Sequence, residues 1–523
     1  MKALTKFFLD QRGCAKNQVD GELIISNLLK EGWEQAESAD QADLIIINSC
    51  GFIESAKKES LDALLGARKK YDDKKIILAG CLAQRYAKIF KDELPEADGI
   101  FGNGDLSHVA AFAKKIVKGK RAVDTPEQKG VSCGERLKLL SYKNSAYVKI
   151  TEGCSNHCSF CAIPLIRGEL RSRPAADIVA EIKALLKRGV FEINLIGQDL
   201  AAYGTEGATE SVGKPKTGAG KAETAGKTET AGGKTASESK AKKRGETEIV
   251  CKTKKRGGLS PLAALLKKIS AIKGAFWVRL LYIHPDHFNP DILEVLKKDG
   301  RLLPYFDIPF QSGDDGVIRA MNRKNSADCY KRLVKKIRSD FPAAALRTTF
   351  LAGFPGETEE AAANTLDFLR AIEPDWSGAF AYSREDDTPA ALMKKQVTKK
   401  IAAARVKALQ DAQEKITQKR LAGRVLKNKK RLEYDVLVEE IVDNPRKGSQ
   451  GQEAAAFGAD DSSGASYAIG RAWFQAPEVD GNIVIEYDAD DKKAAAKIKP
   501  GALVRVRAIA VSGVDIYAEL LGK

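Results

Sequence analysis

No apolar run in this sequence reaches the roughly 20 residues that a bilayer-spanning helix needs, so a membrane protein of that kind is not expected. The opening MKALTKFFLDQRG has a short apolar patch. It has neither the apolar core nor the small-residue cleavage site of a secretory signal. It reads instead as a first β-strand, and the expected compartment is cytoplasmic. Histidine is scarce, with four in 523 residues. Neither His284 nor His287 has a spacing that demands a metal, and His108 reads as structural. Nine cysteines are present. In a cytoplasmic protein they argue against structural disulfides. Their crowding is uneven, which favours thiolate chemistry or a metal site.

Positive charge is plentiful. The formal net charge is +16, of which the segment 204–258 contributes +6, from 13 Lys/Arg against 7 Asp/Glu. The remaining excess fits a polyanionic neighbourhood such as RNA or a ribosome, or simply a lysine-rich surface. Hydrophobic residues make up 43%, enough for real cores, and the length predicts two to four domains.

The first 100 residues alternate in pattern. Strands are expected at 4–9, 43–48 (DLIIIN) and 75–79 (KIILA), with helices at 19–30 and 54–69. This order predicts an α/β domain, a doubly wound parallel sheet with helices on both faces. Each of the three strands runs into a cysteine: Cys14, Cys50 and Cys81. Sites in open α/β sheets form outside the carboxyl ends of the strands, so three equivalent strand ends predict one shared metal site. Any one of these cysteines alone would read as a small buried hydrophobe.

From about residue 145 to 393 the alternation continues. Strands are expected at AYVKI, FEINLIG, WVRLLYI, YFDIPF, LRTTFLAG and GAFAYS, with helices such as AADIVAEIKALLKRG and EEAAANTLDFLRAI between them. Six such units predict a barrel or partial barrel with its chemistry at the C-terminal strand ends. Two segments, 204–258 and 444–465, are poor in large apolar residues, with GKAETAGKTETAGGKTASESKAKK having none, and cannot bury enough to fold. Cys251, in the first, is not expected to be a ligand. Residues 402–420 read as a connecting helix, and the tail, with VRVRAIAVSGVDIYAEL, as several short strands forming a small β-barrel. The expected division is 1–125, 140–400 and 415–523.

The stretch TEGCSNHCSFCAIP packs Cys154, Cys158 and Cys161 onto one loop after a strand. Three thiolates so close suit an iron–sulfur cluster with one iron left open to bind a small molecule. Zinc is the competitor, but structural zinc takes four closed ligands, usually in two-plus-two spacing. His157, between the cysteines, reads as an exposed loop residue rather than a fourth ligand.

CxxxCxxC with Phe160 before the last cysteine resembles the radical SAM enzymes. The resemblance implies a 4Fe-4S cluster whose open iron chelates S-adenosylmethionine, and a 5′-deoxyadenosyl radical as the reagent. RGCAKNQVD, INSCGFIESAKKES and LAGCLAQRY resemble the amino-terminal domain of the methylthiotransferases within that superfamily. There the three cysteines, here Cys14, Cys50 and Cys81, hold a second 4Fe-4S cluster that supplies or carries sulfur. A second S-adenosylmethionine gives the methyl group. The tail resembles the TRAM module, an OB-like barrel that docks substrate.

Two branches of that family compete. One modifies an isopentenylated adenosine in tRNA. The other modifies an aspartate β-carbon in small-subunit ribosomal protein S-twelve. IGQDLAAYG, GAFAYSREDDTPA and GRAWFQAPEVDG resemble the ribosomal branch, while Gln311-Ser312-Gly313 departs toward the tRNA pattern. The resemblance implies a protein substrate, met alone or within the small subunit or ribosome, an external electron donor, and a lesser prospect of tRNA. It also favours the S-adenosylmethionine side for Gly353 and Pro355, whose alternative is a plain turn; Gln198 and Asp199 follow the second barrel strand, where either cofactor contacts or an ordinary strand-end turn is expected. Arg279 is expected either to pair with that cofactor's carboxylate, since arginine suits bidentate pairing, or to form a barrel-exterior or interstrand salt bridge. Tyr382 and Glu385 are expected at the substrate mouth. A protein that binds RNA and keeps its clusters only for structure is the reading from outside enzymology.

Overall fold

The computed structural model describes residues 5–206, 258–442 and 466–521. The two low-complexity segments, and Cys251 with them, lie almost entirely outside the described residues.

The amino-terminal sheet has six parallel strands, in the order Glu34–Gln35, Lys6–Gln11, Leu44–Ser49, Lys75–Gly80, Gly99–Phe101 and Ala122–Asp124. LIIINS is buried at every position, as expected for a parallel strand covered on both faces. Alternation sorts the side chains. Phe7, Leu44, Ile46 and Phe101 pack against the helices Ala15–Lys30 and Val109–Val117. Ile45, Ile47, Ile76 and Leu78 pack against Glu54–Lys70 and Cys81–Glu93. The sheet is therefore doubly wound.

A second parallel sheet follows the chain without crossing. Its strands are Ser145–Lys149, Glu192–Ile196, Trp277–Leu280, Leu302–Asp307, Ala345–Ala352 and Trp376–Ala381. It stays open, a partial barrel. Ala146, Val148, Ile193, Leu195, Val278, Phe306 and Leu346 face the outer helices. Tyr147, Leu281, Leu303, Tyr305 and Trp376 face inward and share a core with the first helix and the carboxyl-terminal barrel. The inner face is thus covered by the other two parts of the chain.

The helix Lys399–Val425 leads out of the partial barrel and is capped by the Thr398 side chain. Near its end, Arg424 pairs with the buried Asp375 at 2.6 Å. The tail closes into a five-stranded barrel in the order Glu433–Val442, Ser466–Arg471, Ile483–Tyr487, Asp515–Leu520 and Leu503–Ser512. Among the described residues no helix is long and apolar enough to cross a membrane.

Candidate active site between two three-cysteine loops

Cys14 caps the helix Ala15–Lys30, Cys50 follows Leu44–Ser49, and Cys81 opens the helix Cys81–Glu93. The three strands before them are neighbours in the sheet, so topology brings the three thiols to one edge. Glycines let the loops close. A Cβ on Gly13 would lie 2.9 Å from Cys50 Cβ, and a Cβ on Gly51 would lie 2.8 Å from the backbone of Leu82. The thiols feel one another: Cys50 is pushed up to about 12, first by burial and then by Cys81 and Cys14. Burial also raises Cys81, against the pull of Arg167, whose Nη2 donates to its sulfur at 3.1 Å. Asn103 Nδ2 donates to the same sulfur at 3.4 Å. Cys14 goes the other way. Crowding by protein raises its pKa, but Lys16, Arg167 and the backbone N–H groups of Asn17 and Lys16 outweigh that and lower it.

The second trio sits on one loop. Cys154 N–H donates to Gly168 O at 3.0 Å, and Cys161 N–H to Cys158 O at 2.9 Å. Gly153 has φ +72°, and a Cβ there would lie 2.1 Å from Glu169 O, so the turn into the loop requires glycine. Burial raises all three thiols, Cys161 to about 12. Asp199 adds to the effect on Cys154, and Arg323 opposes it at Cys158. Buried thiols that resist deprotonation until a cation arrives fit an iron–sulfur core, because a coordinated thiol ionises outright. His157 is exposed, has φ +49° and faces Glu169 at 3.4 Å.

Between the two trios lies a buried ion network that the sequence did not reveal. Lys149 Nζ contacts Asp20 at 2.5 Å and Glu152 at 2.7 Å. Arg167 contacts Asp20 at 2.8 Å and Glu152 at 2.5 Å. Arg167 and Glu152 flank the second loop and Asp20 lies on the first helix, so the network joins the two sites. Gln198 Nε2 donates to Glu152 at 3.3 Å, while its Oε1 and Thr151 Oγ1 are buried without a partner. Such orphan atoms at the strand ends suit a polar ligand. Asp199 Oδ2 meets His287 Nδ1 at 2.7 Å and accepts from Asn156, and His284 Nε2 lies 3.8 Å from Cys158 Sγ. The two histidines, which suggested no metal by spacing, therefore stand beside the second trio.

The other expected positions divide. Phe160 packs on the cluster of Val317, Met321, Phe354 and Ala361. Pro355 lines a hollow of about 440 Å³ with Val317 and Ala361. Gly353 has φ +78°, and its N–H donates to Glu357 Oε2, which Arg405 also holds at 2.9 Å. Tyr382 stacks edge-on against Phe354.

Two expectations need correction. Arg279 does not await a cofactor carboxylate. It is fully buried, pairs with Glu192 at 2.9 Å, donates to Trp473 O at 2.7 Å and covers the Tyr305 ring. Arg471 of the terminal barrel holds the other oxygen of Glu192 at 2.7 Å. Arg279 thus fastens the partial barrel to the terminal barrel. Glu385 is not at an open mouth either. It is buried between Lys57, at 2.8 Å, and Arg85, at 2.7 Å, and binds the partial barrel to the amino-terminal domain. Cys133 is exposed, and Cys329 is buried on the helix Ala327–Asp340.

Comparison with known proteins agrees with this layout. Three family models match: the uncharacterized protein family UPF0004 at residues 6–102, the Radical SAM superfamily at 148–369, and the TRAM domain at 459–521. The ribosomal protein uS12 methylthiotransferase RimO of Treponema denticola is 46% identical over 98% of this chain and 99% of its own. The protein of the same name from Syntrophomonas wolfei is 31% identical over 97% and 98%. A solved structure of the radical S-adenosylmethionine methyltransferase TsrM from Kitasatospora setae covers 75% of this chain and 74% of its own, at 12% identity and a TM-score of 0.49. The chain is a radical SAM enzyme, whose chemistry rests on a 4Fe-4S cluster and S-adenosylmethionine, and it belongs to the RimO family of methylthiotransferases.

Proposed function

We propose that this protein adds a methylthio group to the β-carbon of an aspartate in ribosomal protein uS12, met free or within the small subunit. The observation that carries the reading is the full-length likeness to RimO, joined to two sets of three cysteines linked by the ion network of Arg167. In this reading Cys154, Cys158 and Cys161 hold the radical-generating 4Fe-4S cluster. Cys14, Cys50 and Cys81 hold a second. Gln198 faces the S-adenosylmethionine, together with Phe160 and the Gly353–Pro355 turn. When bound, these groups supply an adenosyl radical able to take an unactivated hydrogen, and a methylthio group to replace it. An external donor provides the electrons.

The chain's own residues do the placing. Arg167 bridges the two sites, donating to Cys81 while it pairs with Glu152 and Asp20. The ion pairs of Glu385 and Lys57 hold the two domains face to face. Burial keeps water from Asp20, Glu152, Lys149 and Arg167, which strengthens their hold on one another.

The Gln311-Ser312-Gly313 departure has a packing explanation. Ser312 is fully buried, with its hydroxyl 3.0 Å from Thr365 Oγ1. A Cβ on Gly313 would lie 2.2 Å from Phe368 Cβ. These residues fit the helix Glu359–Ile372 and offer no face to a substrate. Mass spectrometry of uS12 peptides and tRNA nucleosides, from cells with and without the gene, tests the reading. Loss of the methylthio group from uS12 alone is expected. Loss from tRNA alone would overturn the assignment.

A further inference from the structure

Lys16 is out of keeping with its surroundings. It lies on the first turn of the helix Ala15–Lys30, two residues after Cys14, and is 9% exposed. Buried lysines are almost always paired. Among the described residues the Lys16 ammonium makes no hydrogen bond and no ion pair. Its ammonium sits 3.2 Å from the centroid of the Tyr282 ring. The other buried cations nearby are all ion-paired. Lys149 and Arg167 share Asp20 and Glu152. Arg347 takes Asp480 at 2.5 Å, and Arg173 takes Glu181 at 2.5 Å. The acids that could serve Lys16 are also engaged: Asp307 accepts from Tyr282 N–H at 3.0 Å and faces Arg347. Lys16 is thus the one cation of this group with no carboxylate within ion-pair distance; Cys14 and Asp307 act on it only from farther off.

The place of that charge matters. Tyr282 lies just beyond the strand Trp277–Leu280, at the carboxyl ends of the partial barrel. Its O accepts from Leu200 N–H, and Leu200 follows Asp199, which neighbours the second trio. Lys16 so stands beside Cys14 and against the carboxyl-end rim of the partial barrel, the rim that also carries the second trio. A substrate carbon that is to lose a hydrogen to one site and gain sulfur from the other must come to this rim.

We infer that Lys16 is a specificity-determining residue that receives the side-chain carboxylate of the substrate aspartate. The inference rests on the aspartate reading above. The reacting β-carbon is bonded directly to that carboxylate. Fixing the carboxylate on the ammonium, over the apolar floor of Tyr282, fixes the β-carbon between the two sites. An asparagine in the same position brings a neutral amide and leaves the buried charge unanswered. A charge-assisted contact of this kind discriminates by about 10- to 100-fold.

The test uses cluster-loaded enzyme and two uS12-derived peptides that differ only in Asp or Asn at the modified position. Fluorescence anisotropy, without reductant, gives the affinity for each. Native enzyme is expected to prefer the Asp peptide by at least about tenfold. Lys16→Met is expected to bind both alike, with iron content equal to native, and Lys16→Arg to keep most of the preference. An undiminished preference in Lys16→Met overturns the inference. Loss of iron in Lys16→Met, restored in Lys16→Arg without the preference, also overturns it and makes Lys16 a counter-ion of the cluster. If native enzyme neither prefers the Asp peptide nor modifies it when reduced, the uS12 reading falls, and this inference with it. Modification of the Asp peptide by native enzyme without the preference sinks the inference alone.

Discussion

The two three-cysteine sites are linked through Arg167 but are built on different principles. Cys154, Cys158 and Cys161 share one loop, closed by local backbone bonds and by a glycine at positive φ. Cys14, Cys50 and Cys81 are brought together by three neighbouring strands, across 67 residues of chain. Their electrostatics differ as well. Burial raises every thiol of the loop, with Arg323 opposing it at Cys158 and Cys161. In the other trio Arg167 reaches Cys81, and Lys16 helps pull Cys14 below its ordinary value. The loop site depends on a short stretch of sequence, the strand-end site on the integrity of a sheet and on Arg167, lent by another element. Damage to the loop should therefore be local, and damage around the strand ends should spread.

The strongest test of this difference is a pair of substitutions. Cys158→Ala should abolish 5′-deoxyadenosine formation, by about 1,000-fold or more if the cluster is lost, since a three-thiolate site has no spare ligand. Cys50→Ala should spare that cleavage and lose methylthio transfer. Product analysis by chromatography and mass spectrometry separates the two, and cleavage surviving in Cys158→Ala would refute the ligand assignment.

Next in size is Arg167→Met. It leaves the buried carboxylates of Asp20 and Glu152 with Lys149 alone, and removing one partner from a buried ion network costs about 3–5 kcal/mol. Urea unfolding of the metal-free protein measures it. A loss below about 1 kcal/mol would show that the network relaxes without this arginine.

Gly51→Ala should be milder. The added Cβ meets the backbone of Leu82 at 2.8 Å, so the Cys50 and Cys81 loops must separate. Overpacking costs about 1–3 kcal/mol, and iron bound at the strand-end site should fall while the loop site keeps its own. Equal loss at both sites, read by iron analysis and electron paramagnetic resonance, would show that the sites are not independent. The smallest effect is expected for His157→Ala. The side chain is exposed and only grazes Glu169, so stability should move by no more than about 0.5 kcal/mol, with the cluster spectrum unchanged. A lost spectrum would make His157 a ligand after all.

Much of this layout was legible because it is written in short-range pattern. LIIINS and KIILA are continuous apolar runs, and a strand buried on both faces has no other form. The helix expected at EEAAANTLDFLRAI spans Glu359–Ile372 as observed. CxxxCxxC needs only the loop that carries it. Even the convergence of Cys14, Cys50 and Cys81 was readable, since parallel strands of one sheet point their carboxyl ends the same way.

Charged residues were not readable in this way. Arg279 and Glu385 were expected to face ligands, and each instead locks two parts of the chain together. A charge at a strand end looks the same in sequence whether a cofactor or another domain answers it. Arg167 finds Cys81 across 86 residues and Asp20 across 147, and no periodicity encodes such a pairing. The sequence by itself determined the elements, the two cysteine sets and the class of chemistry, because backbone pattern and ligand spacing are local. Only the tertiary structure decided which charges pair with one another and that Lys16 is buried without an ion pair, because Coulomb energy depends on where the folded chain places its partners and not on their order along it.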